Sequence, residues 1–257
     1  MDRILVCVKA VPNTTDVLFD QDGKLHRSNA QLQWNVADLS ALEAALSLKA
    51  PGSTVTVLTM GPQKLVSSLK ELLARGADEA VLICDPCLAG SDTYVTAKVL
   101  AAAIHKLGDF DLILCGKQSL DGDTGQVPGM LAAALGVPCV TNAAQLIPEG
   151  NQLRLNRILE KGMETLSVTL PCVISVQPYA YNLRLPGIMA MRKAQQKTVL
   201  TLTAGDLDLS PEACGQAGSL TKVTKIHPLL HGHRNGPKET DLAAGVKEIL
   251  ALFKEVM

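Results

Sequence analysis

The stretch DLILCGKQSLDGDTGQVPGMLAAAL, residues 111–135, is the most informative about architecture. Residues 111–115 are almost continuously apolar, as expected for a parallel strand covered on both faces. Residues 124–135 have the composition of a helix, and a glycine-rich turn joins the two. A buried strand that leads directly into a helix is the repeating unit of a doubly wound α/β sheet.

The same unit recurs on the N-terminal side of this stretch. Short apolar runs alternate with segments of helical character. Further buried strands are predicted at Ile4–Val8, Thr54–Thr59 and Ala80–Cys84, and helices at Asp38–Leu48, Pro62–Ala74 and Ser91–Leu107. The expected helix N-caps are Asp38, Ser91 and Thr124, and the glycines expected after helix ends are Gly76, Gly108 and Gly136.

The pattern changes after about residue 150. Gln152–Leu159 and Met163–Leu170 alternate polar and apolar residues, which predicts a β-hairpin over residues 152–170. Cys172–Val176 reads as another buried strand. Residues 179–238 are rich in Pro, Gly and polar residues, and a C-terminal helix is predicted from the apolar spacing of Leu242, Val246, Ile249, Phe253 and Val256. Residues 179–238 have so little core pattern that they are expected to lie across a partner. The C-terminal helix is expected to pack either on its own domain or on a second subunit.

Composition excludes several classes of protein. The chain of 257 residues is 47% hydrophobic, and its 24 Lys and Arg balance 25 Asp and Glu. Without a net positive charge, general nucleic-acid binding is not expected. No apolar run approaches the roughly 18 residues of a membrane span. The seven cysteines form no disulfide framework, so a reducing compartment, the bacterial cytoplasm, is the expected location.

No metal site is predicted. Cys84 and Cys87 form a single CxxC pair without the further ligands that zinc requires, and the pair follows a strand instead of opening a helix. A structural role is therefore favoured for both. His231 and His233 are interpreted as residues of a solvated loop.

The turn over residues 116–129 carries the clearest functional signal. Its glycines allow a close backbone approach, and the following helix start offers unpaired N–H groups to an anion such as a phosphate. Donors are expected from Lys117, Ser119, Thr124 and Gln126. The turn matches neither the P-loop nor GxGxxG. In a sheet of order 3-2-1-4-5, it would face residues 8–10 across the switch point where ligands bind.

Enzyme constellations are absent from the sequence: there is no nucleophile elbow and no HExxH motif. The residues alone therefore predict nucleotide binding without self-contained catalysis.

The chain resembles the beta subunits of electron transfer flavoproteins, including the FixA group, from Arg3 to about Lys193. The match covers Val8-Lys9, residues 12–17, Asn35 with Glu43, Met60-Gly61-Pro62, residues 75–78, residues 116–118 with the following Asp-Gly-Asp, the hairpin residues Arg157, Glu160, Gly162 and Glu164, Leu170-Pro171, and residues 185–189.

The resemblance implies a Rossmann-like, adenine nucleotide alpha hydrolase-like fold and a heterodimer with an alpha subunit that carries FAD. The beta subunit of this family holds AMP in the simple type and a second FAD in the electron-bifurcating type. By position, the implied cofactor-binding residues are Cys7, Asn35, Val36, Ala37, Asp38, Met60, Gly116, Lys117, Gln118, Ser119, Leu120, Asp121, Gly122, Asp123, Thr124, Gly125, Gln126 and Val127. The implied partner-docking residues are Leu185, Pro186, Gly187, Ile188 and Met189.

Two features favour the bifurcating branch: the run of residues 121–127 and the opening of residues 12–17. Ala37 also stands where the AMP branch tends to place an aromatic residue. That branch implies NADH as electron source and ferredoxin or flavodoxin as the low-potential acceptor, whereas the simple type serves acyl-CoA dehydrogenases. The loop around Arg184 lacks the Pro-Arg-Tyr run that is common in the family.

Two domains follow from these expectations: a nucleotide-binding α/β domain over residues 1–178, with the hairpin, and a recognition loop and C-terminal arm over residues 179–257 that packs on the partner subunit. Two other functions remain open. One is a non-redox adenine-nucleotide module of the universal-stress type, and the other is an adenylating enzyme, which the missing pyrophosphate loop disfavours.

Overall fold

The fold is a mixed α/β structure, described by a computed structural model for residues 1–13, 18–19, 25–26, 31–222, 224 and 240–256. The strands are β1 (Arg3–Cys7), β2 (Ala10–Pro12), β3 (Leu18–Phe19), β4 (Leu25–His26), β5 (Leu32–Trp34), β6 (Thr54–Met60), β7 (Glu79–Ile83), β8 (Leu112–Gly116), β9 (Cys139–Glu149), β10 (Gln152–Leu159), β11 (Gly162–Thr169), β12 (Cys172–Val176) and β13 (Leu200–Leu202). The helices are α1 (Val36–Leu48), α2 (Leu65–Arg75), α3 (Thr93–Leu107), α4 (Val127–Leu135), α5 (Ile188–Gln196), α6 (Gly215–Gly218) and α7 (Leu242–Val256).

One nine-stranded sheet organises the chain, in the order β11-β10-β9-β12-β8-β1-β6-β7-β13. The five strands predicted as buried and parallel, β7, β6, β1, β8 and β12, are consecutive neighbours, so the 3-2-1-4-5 order is confirmed. β1 pairs in parallel with β6 on one side and β8 on the other. The chain reverses its direction of winding between β1 and β8, which puts the switch point there.

Both faces of this sheet are covered. Side chains that alternate along β1 enter two apolar cores: Ile4 and Val6 pack with residues of α1 and α2, while Leu5 and Cys7 pack with residues of α3 and α4. Strands covered on both faces have few polar positions, which explains their near-continuous apolar sequence. The doubly wound α/β class is confirmed.

The predicted hairpin is part of a larger antiparallel extension. β10 pairs with β11, as expected, but it also pairs with β9, which the sequence did not indicate. β9 begins parallel to β12 and continues into the extension. The burial of its side chains is irregular, so neither an alternating nor a continuous apolar pattern marks it as a strand.

Helix starts differ from those predicted, whereas helix ends do not. Asp38 lies in the first turn of α1 and is not its N-cap. The N-cap of α3 is Asp92, whose carboxylate accepts a hydrogen bond from the N–H of Val95 at 3.0 Å, and α4 starts three residues after Thr124. Gly76, Gly108 and Gly136 follow the helix ends as predicted, and each N–H donates to carbonyls of the last turn.

Residues 1–224 form one compact unit and residues 225–257 a second. The first unit therefore extends beyond the boundary expected at residue 178, because β13 pairs in parallel with β7 and joins the sheet. Of the second unit, α7 is the described element. No helix among the described residues is both long and apolar enough to cross a bilayer.

Candidate functional site

Asp38 joins the two strand ends at the switch point. From the first turn of α1, its carboxylate accepts the N–H of Lys9 at 2.7 Å, just after β1, and the N–H of Gly116 at 3.0 Å, the last residue of β8. The residue is 7% exposed. One side chain thus satisfies two backbone donors that the sheet leaves without partners.

Burial dominates the electrostatics of this carboxylate. It raises the pKa of Asp38 from 3.8 to about 7, although the hydrogen bonds from Lys9, Asn35 and Gly116 and the charge of Lys9 act in the opposite direction. The protonation state of Asp38 therefore changes near neutral pH, at the carboxyl ends of β1 and β8.

Gly116 brings the loop into direct contact with α1. A Cβ atom at this position would lie 2.7 Å from the carbonyl carbon of Ala37 and 2.7 Å from the nitrogen of Asp38. Both are backbone atoms and cannot rotate away. Only glycine fits here, and its small size places the start of the loop against the first turn of α1.

Asn35 fastens the middle of the loop. It is 1% exposed, its amide donates to the carbonyl oxygen of Gln118 at 2.9 Å, and its side-chain oxygen accepts the N–H of Leu120 at 3.3 Å. Its own N–H donates to the carbonyl of Lys9. A single buried residue therefore ties the loop both to the end of β1 and to the start of α1.

The two loop carboxylates that are unfavourable beside a phosphate have partners within the site. The ammonium group of Lys9 lies 2.6 Å from Asp121 and also donates to the hydroxyl of Ser119 at 3.3 Å. Burial raises the pKa of Asp121, but Lys9 outweighs it and the net pKa is lowered. The amide of Gln118 donates to Asp123. Lys9 therefore offsets the charge of Asp121, and Gln118 satisfies an oxygen of Asp123 without changing its charge.

Backbone conformation turns the loop toward α4. Asp123 and Gly125 both adopt left-handed conformations, with φ of 50° and 61°. α4 then begins at Val127, no side chain of the described residues caps its N-terminus, and Pro128 in its first turn has no N–H to satisfy. The free N–H groups and the positive end of the helix dipole fit an anionic group.

Cys7 and Met60 end neighbouring strands at the same edge of the sheet. Met60 is half-buried at the end of β6. Cys7 is buried at the end of β1, where its hydrogen bond with Cys115, together with burial, raises the pKa of the Cys115 thiol well above its usual range. Topology thus places Cys7, Met60 and Gly116 at the carboxyl ends of the neighbouring strands β1, β6 and β8.

The predicted docking loop presents an apolar surface. Leu185 is 85% exposed and Ile188, the first residue of α5, is 80% exposed, while Met189 is also exposed. The residue that holds this loop was not predictable from local sequence. The structure places Arg184, directly before Leu185, against Glu43 of α1, a residue 141 positions earlier in the chain.

The structural interpretation of Cys84 and Cys87 stays a prediction, and the surroundings of Cys87 support it. Burial, together with Asp85 and Cys214, raises the pKa of the Cys87 thiol to about 12, so the nucleophilic thiolate is disfavoured. Among the described residues no cluster of His, Cys, Asp and Glu is arranged to hold a metal ion. His231 and His233 lie outside the described part of the chain.

A cavity of about 310 Å³ lies beside this site, between the paired strands β2 and β5 and the helices α1 and α2. Trp34, Leu39 and Leu65 contribute to its lining, and Val36 is the predicted site residue that reaches it. The cavity is therefore separate from the glycine-rich loop.

Comparison with known proteins relates the chain to electron carriers. Residues 22–207 match the electron transfer flavoprotein domain family. The chain is 39% identical over 224 residues to the caffeyl-CoA reductase-Etf complex subunit CarD of Acetobacterium woodii, with 86% of each chain covered. It is 39% identical over 232 residues to the acryloyl-CoA reductase electron transfer subunit gamma of Anaerotignum propionicum, with 87% of each covered. It is 40% identical over 224 residues to the electron transfer flavoprotein subunit beta of Thermoanaerobacterium thermosaccharolyticum, with 86% of each covered.

Proposed function

Because the chain belongs to the electron transfer flavoprotein family, we propose that it is the beta subunit of a heterodimeric electron carrier and holds an adenine nucleotide at the switch point between β1 and β8. Its relatives are electron transfer subunits, which supports electron transfer as the general function. The FAD-bearing partner is a subunit of the alpha type. The expected location is the bacterial cytoplasm.

One observation carries the nucleotide assignment: the loop of residues 116–126 is attached to the start of α1 by buried side chains and leads to a helix start without a side-chain cap. The N–H groups at the start of α4 and Lys117 would hold the phosphates. Cys7, Met60 and residues 35–38 would contact the adenosine part. The donor set suits a phosphate-bearing nucleotide, because Lys9 and Gln118 engage the two loop carboxylates that would oppose it.

We infer that the nucleotide is FAD, with AMP as the alternative. The run of residues 121–127 and the small side chain of Ala37 support FAD. A bound flavin would supply the redox chemistry, whereas AMP would have a structural role. This chain's own residues would bind and orient the nucleotide and shield it from water.

The electron donors and acceptors follow from the same proposal. Two relatives are named as subunits of acyl-CoA reductase complexes, which supports an acyl-CoA dehydrogenase or reductase as a partner that docks at residues 185–189. With FAD in the beta site, NADH would be the electron source and ferredoxin or flavodoxin the low-potential acceptor. With AMP, the complex would be a simple carrier for acyl-CoA dehydrogenases.

The experiment is a count of bound nucleotides. The chain is purified together with its alpha subunit, the nucleotides are released with acid, and FAD and AMP are separated and quantified per heterodimer. Two FAD without AMP are expected. One FAD with one AMP would select the simple carrier, and the absence of both a flavin and a stable partner would contradict the proposal in favour of a non-redox nucleotide module.

A matched pair of variants tests the location of the site. Asn35→Ala removes two buried hydrogen bonds to the loop, whereas Asn156→Ala removes two exposed side-chain hydrogen bonds on the β9–β11 extension. If the beta nucleotide binds at the loop, Asn35→Ala lowers its occupancy and Asn156→Ala does not. Equal occupancy in both variants would place the nucleotide elsewhere.

A further inference from the structure

Arg184 is held to α1 by an unusually complete set of hydrogen bonds. Its Nε lies 2.9 and 3.0 Å from the two carboxylate oxygens of Glu43, and its Nη2 lies 2.7 Å from one of them. The backbone N–H of Arg184 donates to the same carboxylate at 3.1 Å. Glu43 thus binds both the side chain and the main chain of one residue, in the fork geometry that makes arginine–carboxylate pairs strong.

The other side of the Arg184 backbone is also held. Nη1 of Arg75, at the end of α2, donates to the carbonyl oxygen of Arg184 at 2.9 Å. Arg75 is itself paired with Glu71 one turn earlier, at 2.8 Å. The peptide groups on both sides of the Arg184 Cα are therefore fixed, one to α1 and one to α2.

A second attachment lies three residues upstream. The N–H of Tyr181 donates to the hydroxyl of Ser40 on α1 at 3.3 Å, and the Tyr181 hydroxyl accepts the N–H of Leu146 in β9 at 2.9 Å. Residues 181–184 are thus fixed at both ends. The next residue, Leu185, has an exposed side chain.

The burial of the pair shows which member depends on the other. Glu43 is 8% exposed, so its carboxylate needs partners, while about half of the Arg184 side chain is accessible. Leaving a buried carboxylate without its counterion is costly, so Glu43 and Arg184 strongly favour the paired arrangement. The exposed side chain of Leu185 is consequently presented on a backbone that is already ordered.

We propose that Glu43 and Arg184 are positioning residues for partner docking: they fix the backbone before Leu185 so that this side chain meets the dehydrogenase in a preset geometry. The inference rests on the proposed function, in which residues 185–189 dock that partner. Ordering a loop before it binds lowers the entropic cost of association. The affinity for the partner depends on the pair, whereas the nucleotide site and the rate at saturation do not.

The test uses the complete heterodimer with its nucleotides. The probe is a purified short-chain acyl-CoA dehydrogenase, kept reduced by its acyl-CoA substrate, and the rate of electron transfer is measured as a function of heterodimer concentration. The variants are Arg184→Met, Glu43→Gln and Leu185→Ala. Arg154→Met, which removes the exposed Arg154–Glu149 pair on the β9–β11 extension, is the matched control.

For Arg184→Met and Glu43→Gln we expect KM for the heterodimer to rise about tenfold with kcat unchanged. Arg184→Lys, which keeps the charge but not the fork, should recover only part of the affinity. Arg184→Met should add little in the Leu185→Ala background, because the pair acts through Leu185. Nucleotide content and the KM of Arg154→Met should stay at the values of the unaltered heterodimer.

Amide hydrogen exchange gives a readout that does not depend on the partner. Exchange at residues 182–187 should be faster in Arg184→Met, and exchange in β1 and β8 should be unchanged. Unchanged exchange, or an unchanged KM in Arg184→Met while Leu185→Ala raises it, would overturn the positioning role alone. If the unaltered heterodimer accepts no electrons from the dehydrogenase, or if Leu185→Ala has no effect, the docking proposal fails and this inference fails with it.

Discussion

The carboxylate of Asp38 accepts hydrogen bonds from the N–H groups of Lys9 and Gly116. One side chain thus binds the ends of two neighbouring strands, β1 and β8. A group in this position has to satisfy two donors and remain buried. An aspartate does so, but burial makes its ionised form expensive, and the proton is retained up to about pH 7.

This raised pKa makes stability depend on pH. Between about pH 4 and 7, an unfolded aspartate has lost its proton while folded Asp38 keeps it. The free energy of unfolding therefore falls as pH rises through this window, by at most about 1.4 kcal/mol per pH unit from this group. Asp38→Asn removes that contribution, so urea denaturation should show a smaller pH slope for the variant. A difference between the two proteins that does not change with pH would contradict the assignment.

Gly116 is the second residue on which the contact between the loop and α1 depends. Gly116→Ala places a Cβ atom against the backbone of α1 and should cost about 1–3 kcal/mol of unfolding free energy, measured by denaturant titration. Gly129→Ala is the control, because a Cβ atom there meets nothing within 4 Å and alanine favours the helix. If both variants unfold at the same denaturant concentration, the close approach at Gly116 does not constrain the fold.

At the scale of elements, the loop of residues 116–126 is held in part by residues outside it. Asn35 supplies hydrogen bonds to its middle and Lys9 pairs with Asp121, whereas Gln118 and Asp123 are hydrogen-bonded within the loop. Asn35→Ala should therefore increase amide exchange in the loop and destabilise the fold by about 1–3 kcal/mol, the usual cost of leaving buried polar groups without partners. If amide exchange in the loop is the same in Asn35→Ala and in the unaltered protein, the loop keeps its shape without Asn35.

The sequence predicts elements well where one local signal dominates. Buried parallel strands are continuous apolar runs, and glycines mark the ends of α2, α3 and α4. Helix starts are harder to predict from the sequence. Aspartate is a favoured N-cap residue, but the carboxylate of Asp38 accepts hydrogen bonds from N–H groups at the strand ends instead. Local composition does not indicate hydrogen bonds between residues that are far apart in the chain.

The remaining misses do not all have the same cause. β9 is a strand because it pairs with β12 and not because of its own pattern, whereas β13 is a three-residue strand in a Thr-, Val- and Leu-rich run that the prediction overlooked. In the candidate site, the glycine-rich loop and the residues around Asn35 could be chosen from the sequence and the resemblance. The Glu43–Arg184 pair could not, because 141 residues separate its members and only the folded sheet brings them together.

At the scale of the whole molecule, α7 carries exposed apolar side chains on one helical face: Leu242, Val246, Ile249, Leu250 and Phe253. A helix face of this kind favours a partner surface. We propose that it packs on the alpha subunit.

Ile249→Asp should then prevent formation of a stable heterodimer, detected by size-exclusion chromatography of the mixed subunits. The circular dichroism of the isolated chain should be nearly unchanged, because Ile249 is already exposed. Glu248→Ala, a change at an exposed position of the same helix, should leave the heterodimer intact. An Ile249→Asp variant that elutes with the alpha subunit as before would remove α7 from the interface.

The position of β13 at the edge of the sheet also has a consequence for synthesis. While the chain emerges from the ribosome, β1, β6 and β7 are available long before Leu200–Leu202, which follow β7 by more than a hundred residues. During that interval the outer edge of β7 carries unpaired N–H and C=O groups that another nascent chain can join. Once the last third of the chain has been made, β13 pairs with β7 and leaves a shorter edge strand, three residues long, on this side of the sheet.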